Sequence, residues 1–425
     1  MMTKIKPNEY MTRRLMVFMS AMVLANIGGH MYEPLLPLYL KDLDASVVEI
    51  GWFFTIAQII PLTMQILGGW ASDRLGRLRS VAIGSFVGVF AYIPLIFAPS
   101  WEWALLGEGL GAITRSLIGP SFMAFIAEES TETNRARVYG FSETLFMVVA
   151  VIGPPLGGLL AEGFGFRIML SVSFLLYILA TIIRIAMARS AVRNSEETAE
   201  KLTVRGLLVN LRIMVIMLLT GGLFTWILIS DGIRDITWTL SFNLMPLYLD
   251  EIGGLSLQQI GWLNSIFGLF MMLLTIPSGW LSDKKGERYS IVAGFLFQAI
   301  AFFVFVRVSG LIGFYAAAGI LGMGFGLMMP AFNSLTSKVV PEKQRGTAFG
   351  LLSTSLGIMS LPAPAIGAQL WDKVNPQLPF RITAWLSLFA VIPVWLKFKS
   401  PEKEKKRFEE KMESARITNK KQEVS

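Results

Sequence analysis

Gly69-Trp70-Ala71-Ser72-Asp73-Arg74-Leu75-Gly76-Arg77 returns as Gly279-Trp280-Leu281-Ser282-Asp283-Lys284-Lys285-Gly286-Glu287, an offset of 210 in a chain of 425 residues. The same offset carries Gly51-Trp52 to Gly261-Trp262, Pro120 to Pro330, Arg135 to Arg345 and Pro154 to Pro364. Pro37-Leu38-Tyr39-Leu40 meets Pro246-Leu247-Tyr248-Leu249 at 209, so the register slips once before Gly51 and then holds. The chain is a tandem duplication, and its repeat is far longer than the roughly 20 to 50 residues of solenoids and propellers.

With 53% apolar and 16% charged residues and a mean hydropathy of +0.57, the chain is too apolar for a soluble domain, which carries roughly 25% charge. The absence of cysteine removes disulfides, thiolate nucleophiles and Cys-ligated metals, and one histidine, His30, builds no metal site. Twelve apolar stretches follow one another, at 14–40, 48–72, 78–97, 101–128, 136–162, 166–189, 212–249, 258–282, 288–308, 310–338, 345–371 and 380–398. Each is near or above the roughly 20 residues that cross a bilayer as a helix. The expected fold is all-α and integral to a membrane, with two pseudo-symmetric six-helix bundles. Alignment of the overlong seventh stretch with the first puts its crossing part near 223–249, leaving 203–220 as an interfacial helix or an extension. The expected organisation is thus a first bundle over 1–189, a linker over 190–222, a second bundle over 223–398 and a charged tail over 399–425. The first stretch follows Lys4, Lys6, Arg13 and Arg14 with no small-residue cleavage site, and reads as a retained helix.

Thirty of the 38 Lys and Arg residues fall on one side of such a membrane; Lys41, Arg167, Arg307, Lys373 and Arg381 fall on the other, and Arg115, Arg184 and Arg234 inside spans. Both termini are therefore expected in the cytoplasm of a cell-membrane protein. The net charge of +8 is met by anionic membrane lipids and calls for no nucleic acid.

Two such halves are related by an axis along the membrane normal and leave a cleft between them. Over nearly its whole length the chain resembles the major facilitator superfamily, which carries G-x-L-A/S-D-R/K-x-G-R-R/K after its second helix and a weaker copy after its eighth. Gly69, Ser72, Asp73, Arg74, Gly76 and Arg77 fit the first copy; Gly279, Ser282, Asp283, Lys284 and Gly286 fit the second, where Glu287 replaces a base. Gly76 permits a tight turn, Asp73 can accept backbone N–H bonds at a helix start, and Arg74 and Arg77 are placed to meet Glu128 or Glu129. The resemblance implies a gate for alternating access. Gly153-Pro154-Pro155-Leu156-Gly157-Gly158 is similar to the G-P-x-x-G-G of drug-exporting proton antiporters, with Val149 at the usual upstream glycine. Glycines so spaced also let a neighbouring helix approach closely. The arginine of the family's R-x-x-Q-G falls on Leu105, so a proton relay there is not implied.

An ionisable group at bilayer depth costs about 2.5–3.5 kcal/mol even on a lenient scale, so it must face protein or water. Asn26, His30 and Glu33 fall on one helical face, where Glu33 beside an imidazole can exchange a proton and Pro34 and Pro37 break the helix just beyond. Asp231, Arg234 and Asp235 share another face, as a self-neutralising network or as one whose pairing changes on protonation. Arg115 either grips an anion or neutralises Glu108 or Glu143. Arg184, near a span's inner end, reads as snorkelling. Gln58, Gln65, Trp238, Asn264 and Asn333 complete the candidate lining of the cleft.

The expected function is proton-coupled export of amphipathic, drug-like molecules by a monomeric carrier, with the proton gradient as energy source and no cofactor. The alternatives are translocation of a lipid or glycolipid, or symport of an organic anion held by Arg115 and Arg234. An enzyme is disfavoured, because no metalloprotease motif, cysteine nucleophile or sizeable soluble domain is present.

Overall fold

The structure is a computed structural model that describes residues 12–131, 134–190, 222–340 and 345–398; within these, the side chains of 65–74, 136, 345–348, 350 and 351 lie outside the description. The linker over 190–222 and the tail over 399–425 thus lie almost wholly outside the described residues, and the side chains of Gln65, Asp73 and Arg74, with Gly69, lie outside them too.

Helix is the regular structure of the described residues, with no strand among them. We number the helices α1 (Arg13–Tyr32), α2 (Leu36–Asp42), α3 (Val47–Leu75), α4 (Arg77–Ile96), α5 (Trp101–Glu129), α6 (Arg135–Phe164), α7 (Phe166–Ser190), α8 (Leu223–Ser241), α9 (Met245–Glu251), α10 (Leu257–Lys285), α11 (Glu287–Phe305), α12 (Leu311–Val339), α13 (Arg345–Ser360), α14 (Ala363–Lys373) and α15 (Leu378–Lys397). Ten segments are long and apolar enough to cross a membrane as they stand, α1 and α2 counting as one. The seventh and eleventh spans of the duplication are carried by α8 with α9 and by α13 with α14. The seventh is diluted by Asp231, Arg234 and Asp235, and the eleventh is broken at Leu361-Pro362, where proline has no N–H to continue the ladder.

The duplication survives in fine detail. Glu33–Leu35 forms a 3-10 turn between α1 and α2, and Phe242–Leu244 forms one between α8 and α9, each followed by a proline in the next first turn. The turn between α3 and α4 passes through Gly76 at φ 85°, and its copy between α10 and α11 through Gly286 at φ 94°, a region that favours glycine.

The chain divides into two compact units, Met1–Glu197 with Leu244–Gly268, and Thr198–Asn243 with Leu269–Ser425. In the first unit α1 packs on α6 and α7, α4 on α5 and α7, and α3 on α5, around a core of Leu15, Phe18, Val81, Phe122, Phe125 and Ile126. In the second, α11 packs on α12 and α15, and α8 on α13, α14 and α15, around Ile227, Phe295, Met328, Phe332 and Val394. One contact recurs across the offset. A Cβ on Gly84 would sit 3.3 Å from the Thr114 carbonyl, and one on Gly294 would sit 2.7 Å from the Gly324 carbonyl, so glycine sets the spacing of α4 on α5 and of α11 on α12. Large apolar side chains such as Phe97, Leu175, Ile276, Ile312 and Phe389 stand exposed, as lipid contact requires.

Gly153, Pro154, Gly157 and Gly158 lie where α6 meets two other helices of the first unit. A Cβ on Gly153 would sit 2.6 Å from the Cβ of His30, and one on Gly157 would fall on the Met31 carbonyl. On the adjoining face a Cβ on Gly158 would lie 2.5 Å from the Leu257 carbonyl, while one on Gly261 would collide with the carbonyl of Pro154. Ser265 donates to the Val151 carbonyl, and the backbone N–H of Gln258 donates to Glu162 Oε2 at 2.8 Å. These contacts hold residues 257–268 of α10 against α6 within one unit.

Candidate functional site

Two of the concavities formed by described residues open in the first unit. The larger, about 670 Å³, is walled by apolar residues including Ile60, Phe97, Trp103 and Leu106, and offers almost nothing polar to orient a guest. The smaller, about 270 Å³, lies among α1, α4, α5 and α7 and mixes apolar with ionisable walls, as ligand sites do.

Asn26, His30 and Glu33 all line this smaller cavity, which the helical spacing of α1 dictates. The Asn26 amide donates to the Met22 carbonyl one turn back at 2.7 Å. Glu33 sits in the 3-10 turn that ends α1, is exposed, and makes no ion pair among the described residues. On α5, Arg115 pairs with Glu108 at 3.2 Å, and the Tyr32 hydroxyl lies 3.4 Å from Glu108 as a donor. Glu143 is exposed on α6 and is not the partner of Arg115.

Arg184 corrects the expectation of snorkelling. Its side chain turns away from the lipid and is 1% exposed, because the face of α7 that carries it packs on α1 and α4. There it donates to Ser85 Oγ at 2.9 Å and to the Ala21 carbonyl at 3.3 Å, with Met22 Sδ at 3.0 Å. It lines the same cavity as Glu33.

Of the remaining candidates in this unit, Gln58 is half-buried on α3 and does not reach the cavity wall. Asn264, on α10, donates to its own helix at the Ile260 carbonyl at 3.0 Å.

In the second unit Asp231, Arg234 and Asp235 form the expected cluster. Arg234 Nε meets Asp231 Oδ1 at 2.5 Å, Nη2 lies 4.0 Å from Asp235 Oδ1, and Nη1 lies 2.9 Å from Met329 Sδ. Trp238 stacks on Phe242 at 3.7 Å between centroids and leans on Phe325 at 4.4 Å. Asn333 is exposed on α12.

Around the repeated loop, Arg77 Nε meets Glu128 Oε1 at 3.0 Å. Glu129 meets Arg14 Nη1 at 2.8 Å and accepts from the Thr12 hydroxyl at 3.2 Å. In the second copy Asp283 and Lys284 are exposed, with Lys284 Nζ 4.2 Å from the centre of the Trp280 ring. A pair that sequence reasoning missed lies beside them: Glu287, buried, meets Lys338 Nζ at 2.5 Å and accepts from Ser334 Oγ at 2.9 Å. At the opposite ends of the spans, Lys41 Nζ meets Asp250 Oδ2 at 2.8 Å and Glu251 Oε1 at 2.9 Å.

With this geometry in hand, the description Major Facilitator Superfamily matches residues 18–233 and 227–423. The chain belongs to the Major Facilitator Superfamily. As a superfamily member it is a multi-pass membrane transporter of small molecules and not an enzyme. It is 26% identical over 377 residues to the multi-drug resistance efflux pump PmrA homolog of Lactococcus lactis, covering 85% of this chain and 88% of that one. It is 24% identical over 391 residues to the quinolone resistance protein NorA of Staphylococcus aureus (90% and 96% covered). Against multidrug resistance protein 1 of Bacillus subtilis it is 26% identical over 396 residues (91% and 96% covered). Among solved structures, the POT family transporter PepTSo superposes with a TM-score of 0.72 at 14% identity, covering 94% of this chain and 99% of that one. The peptide transporter POT in complex with sulfate superposes with a TM-score of 0.71 at 15% identity, covering 90% and 94%.

Proposed function

We propose that this transporter exports amphipathic, lipophilic molecules from the cell by alternating access, driven by protons entering at Glu33. Both termini lie in the cytoplasm, the carrier works as a monomer, and no cofactor takes part. The observation that carries the reading is a carboxylate without an ion pair among the described residues, on the wall of a cavity that mixes apolar and aromatic side chains with ionisable ones. A carboxylate at that depth is costly while charged and without a partner, so it gains from a proton or from a cationic guest, and the two compete. His30, one turn away on the same wall, takes the proton onward in this reading, which its place on that wall supports. Glu108 is less suited to this part, since Arg115 already answers its charge. The efflux-pump names of the relatives support the outward direction.

The test is flux in liposomes after a pH jump, using a lipophilic cation such as ethidium. Imposed inward protons should drive export in the native chain, and Glu33→Gln should abolish the pH-driven component while leaving the protein folded. Transport in Glu33→Gln that still follows the pH gradient removes the proton role.

A further inference from the structure

Arg184 is a buried cation that no carboxylate among the described residues answers. Its partners are a serine hydroxyl, a backbone carbonyl and a thioether, with the ring of Tyr177 centred 5.8 Å from Cζ; its Nε finds no acceptor among the described residues. Neutral partners satisfy N–H groups but leave the charge itself uncompensated, and a guanidinium kept from water in this way is stabilised by any anion that reaches it. A second orphan lies on the same wall. The hydroxyl of Thr114 is buried and has no hydrogen-bond partner among the described residues.

Arg184 bonds α1 at Ala21 and Met22, eleven residues before Glu33, which at 1.5 Å per residue is about 16 Å of rise. The cavity is therefore polarised, with a cation that no carboxylate pairs toward the start of α1 and, at its far end, a carboxylate that makes no ion pair among the described residues. Arg115 lines the same wall and pairs with Glu108.

We propose that the end of the cavity nearer the start of α1 is an oxyanion subsite. There Arg184 and Thr114 take the carboxylate, phosphonate or phosphate group of an amphipathic guest, whose apolar body lies against Met22, Ala25, Ala91 and Ile118. Guests of the carrier thus include anions and zwitterions as well as lipophilic cations. The subsite rests on the proposed reading of this cavity as the place where a transported guest binds.

Equilibrium binding to the full chain in nanodiscs tests it, read by naphthalene fluorescence, with naphthylacetate as anionic probe and naphthylmethylammonium as cationic probe of similar body. Arg184→Gln is expected to weaken naphthylacetate by about tenfold or more, the loss of one charged hydrogen-bonding partner, and to leave the cation within about twofold. Arg184→Lys should fall between, keeping the charge without the fork. Thr114→Val removes only a hydroxyl and should weaken the anion several-fold; with Arg184→Lys it carries the test if Arg184→Gln does not fold. Equal loss of both probes in folded variants, or naphthylacetate binding that ignores all three substitutions, overturns the subsite and leaves Arg184 as a strut joining α1, α4 and α7. Discs of phosphatidylcholine and of phosphatidylglycerol separate a soluble guest from a lipid headgroup: suppression of Arg184-dependent naphthylacetate binding only in phosphatidylglycerol assigns the subsite to the headgroup, and equal binding assigns it to a soluble anion. Glu33→Gln should leave naphthylacetate binding intact even if it stops pH-driven flux, so failure of the proton role does not decide the subsite.

Discussion

Glu287 and Lys338 form, with signs exchanged, the ion pair that Arg77 and Glu128 form 210 residues earlier, the carboxylate now on the loop side and the base on the facing helix. Glu287 is 3% exposed, so removing its partner strands a buried carboxylate. Lys338→Met should lower the melting temperature in detergent by several degrees, corresponding to about 1–3 kcal/mol given that Lys338 is itself half-exposed. Glu287→Lys with Lys338→Glu should recover most of the loss. A double exchange no better than the single change would deny the pair a structural role.

In the first unit the Arg77–Glu128 pair is the more exposed one. Glu128→Gln should therefore cost under about 1 kcal/mol in stability. If the loop gates transport as the superfamily resemblance implies, the variant should still alter flux well beyond what that loss explains. Unchanged flux would mark the pair as a solvated contact.

Glu108 and Arg115 should behave as one unit. Each single substitution, Glu108→Gln or Arg115→Gln, leaves its partner's charge unanswered within the cavity, whereas the double substitution removes both. Export by the double variant should match or exceed that of the worse single variant, with a coupling of about 0.5–3 kcal/mol in a double-mutant cycle of stability. Additive effects would mean that the two groups act separately.

Gly157→Ala would drive a methyl group into the Met31 backbone, whereas Gly163→Ala meets nothing within 4 Å. The first should lose at least about 1–3 kcal/mol or fail to yield folded protein, and the second should be neutral. Fluorescence-detected size exclusion compares them, and equal behaviour would show that the glycine motif does not set the spacing of α1 and α6.

The fold was legible because its signals are local and repeated: apolar length fixes the spans, and the constant offset fixes the pairing of halves. The face of Asn26, His30 and Glu33 was legible for the same reason, since α1 carries the first two and the 3-10 turn that ends it starts at Glu33 without leaving that face. Arg184 was not, because its place near a helix end suits snorkelling, and only the packing of α7 on α1 and α4 turns it inward. The pairing of Arg14 with Glu129 likewise depends on where α1 begins relative to α5, which no spacing encodes. The Glu287–Lys338 pair could have been found by carrying the offset through Glu128, which lands on Lys338. The polarity of Asn26 and Asn264 was visible, but not that each amide would be spent on its own helix.

The exchanged signs at 77 and 287, and at 128 and 338, make the two copies non-interchangeable. To convert one arrangement into the other takes two substitutions, and either taken alone sets like charges face to face. Descendants of the duplication are thereby held to the polarity they inherited, unless an uncharged intermediate intervenes. Among relatives the two positions of each half should therefore drift together, and a graft of the first loop onto the second half should repel Lys338 unless that lysine is replaced with it.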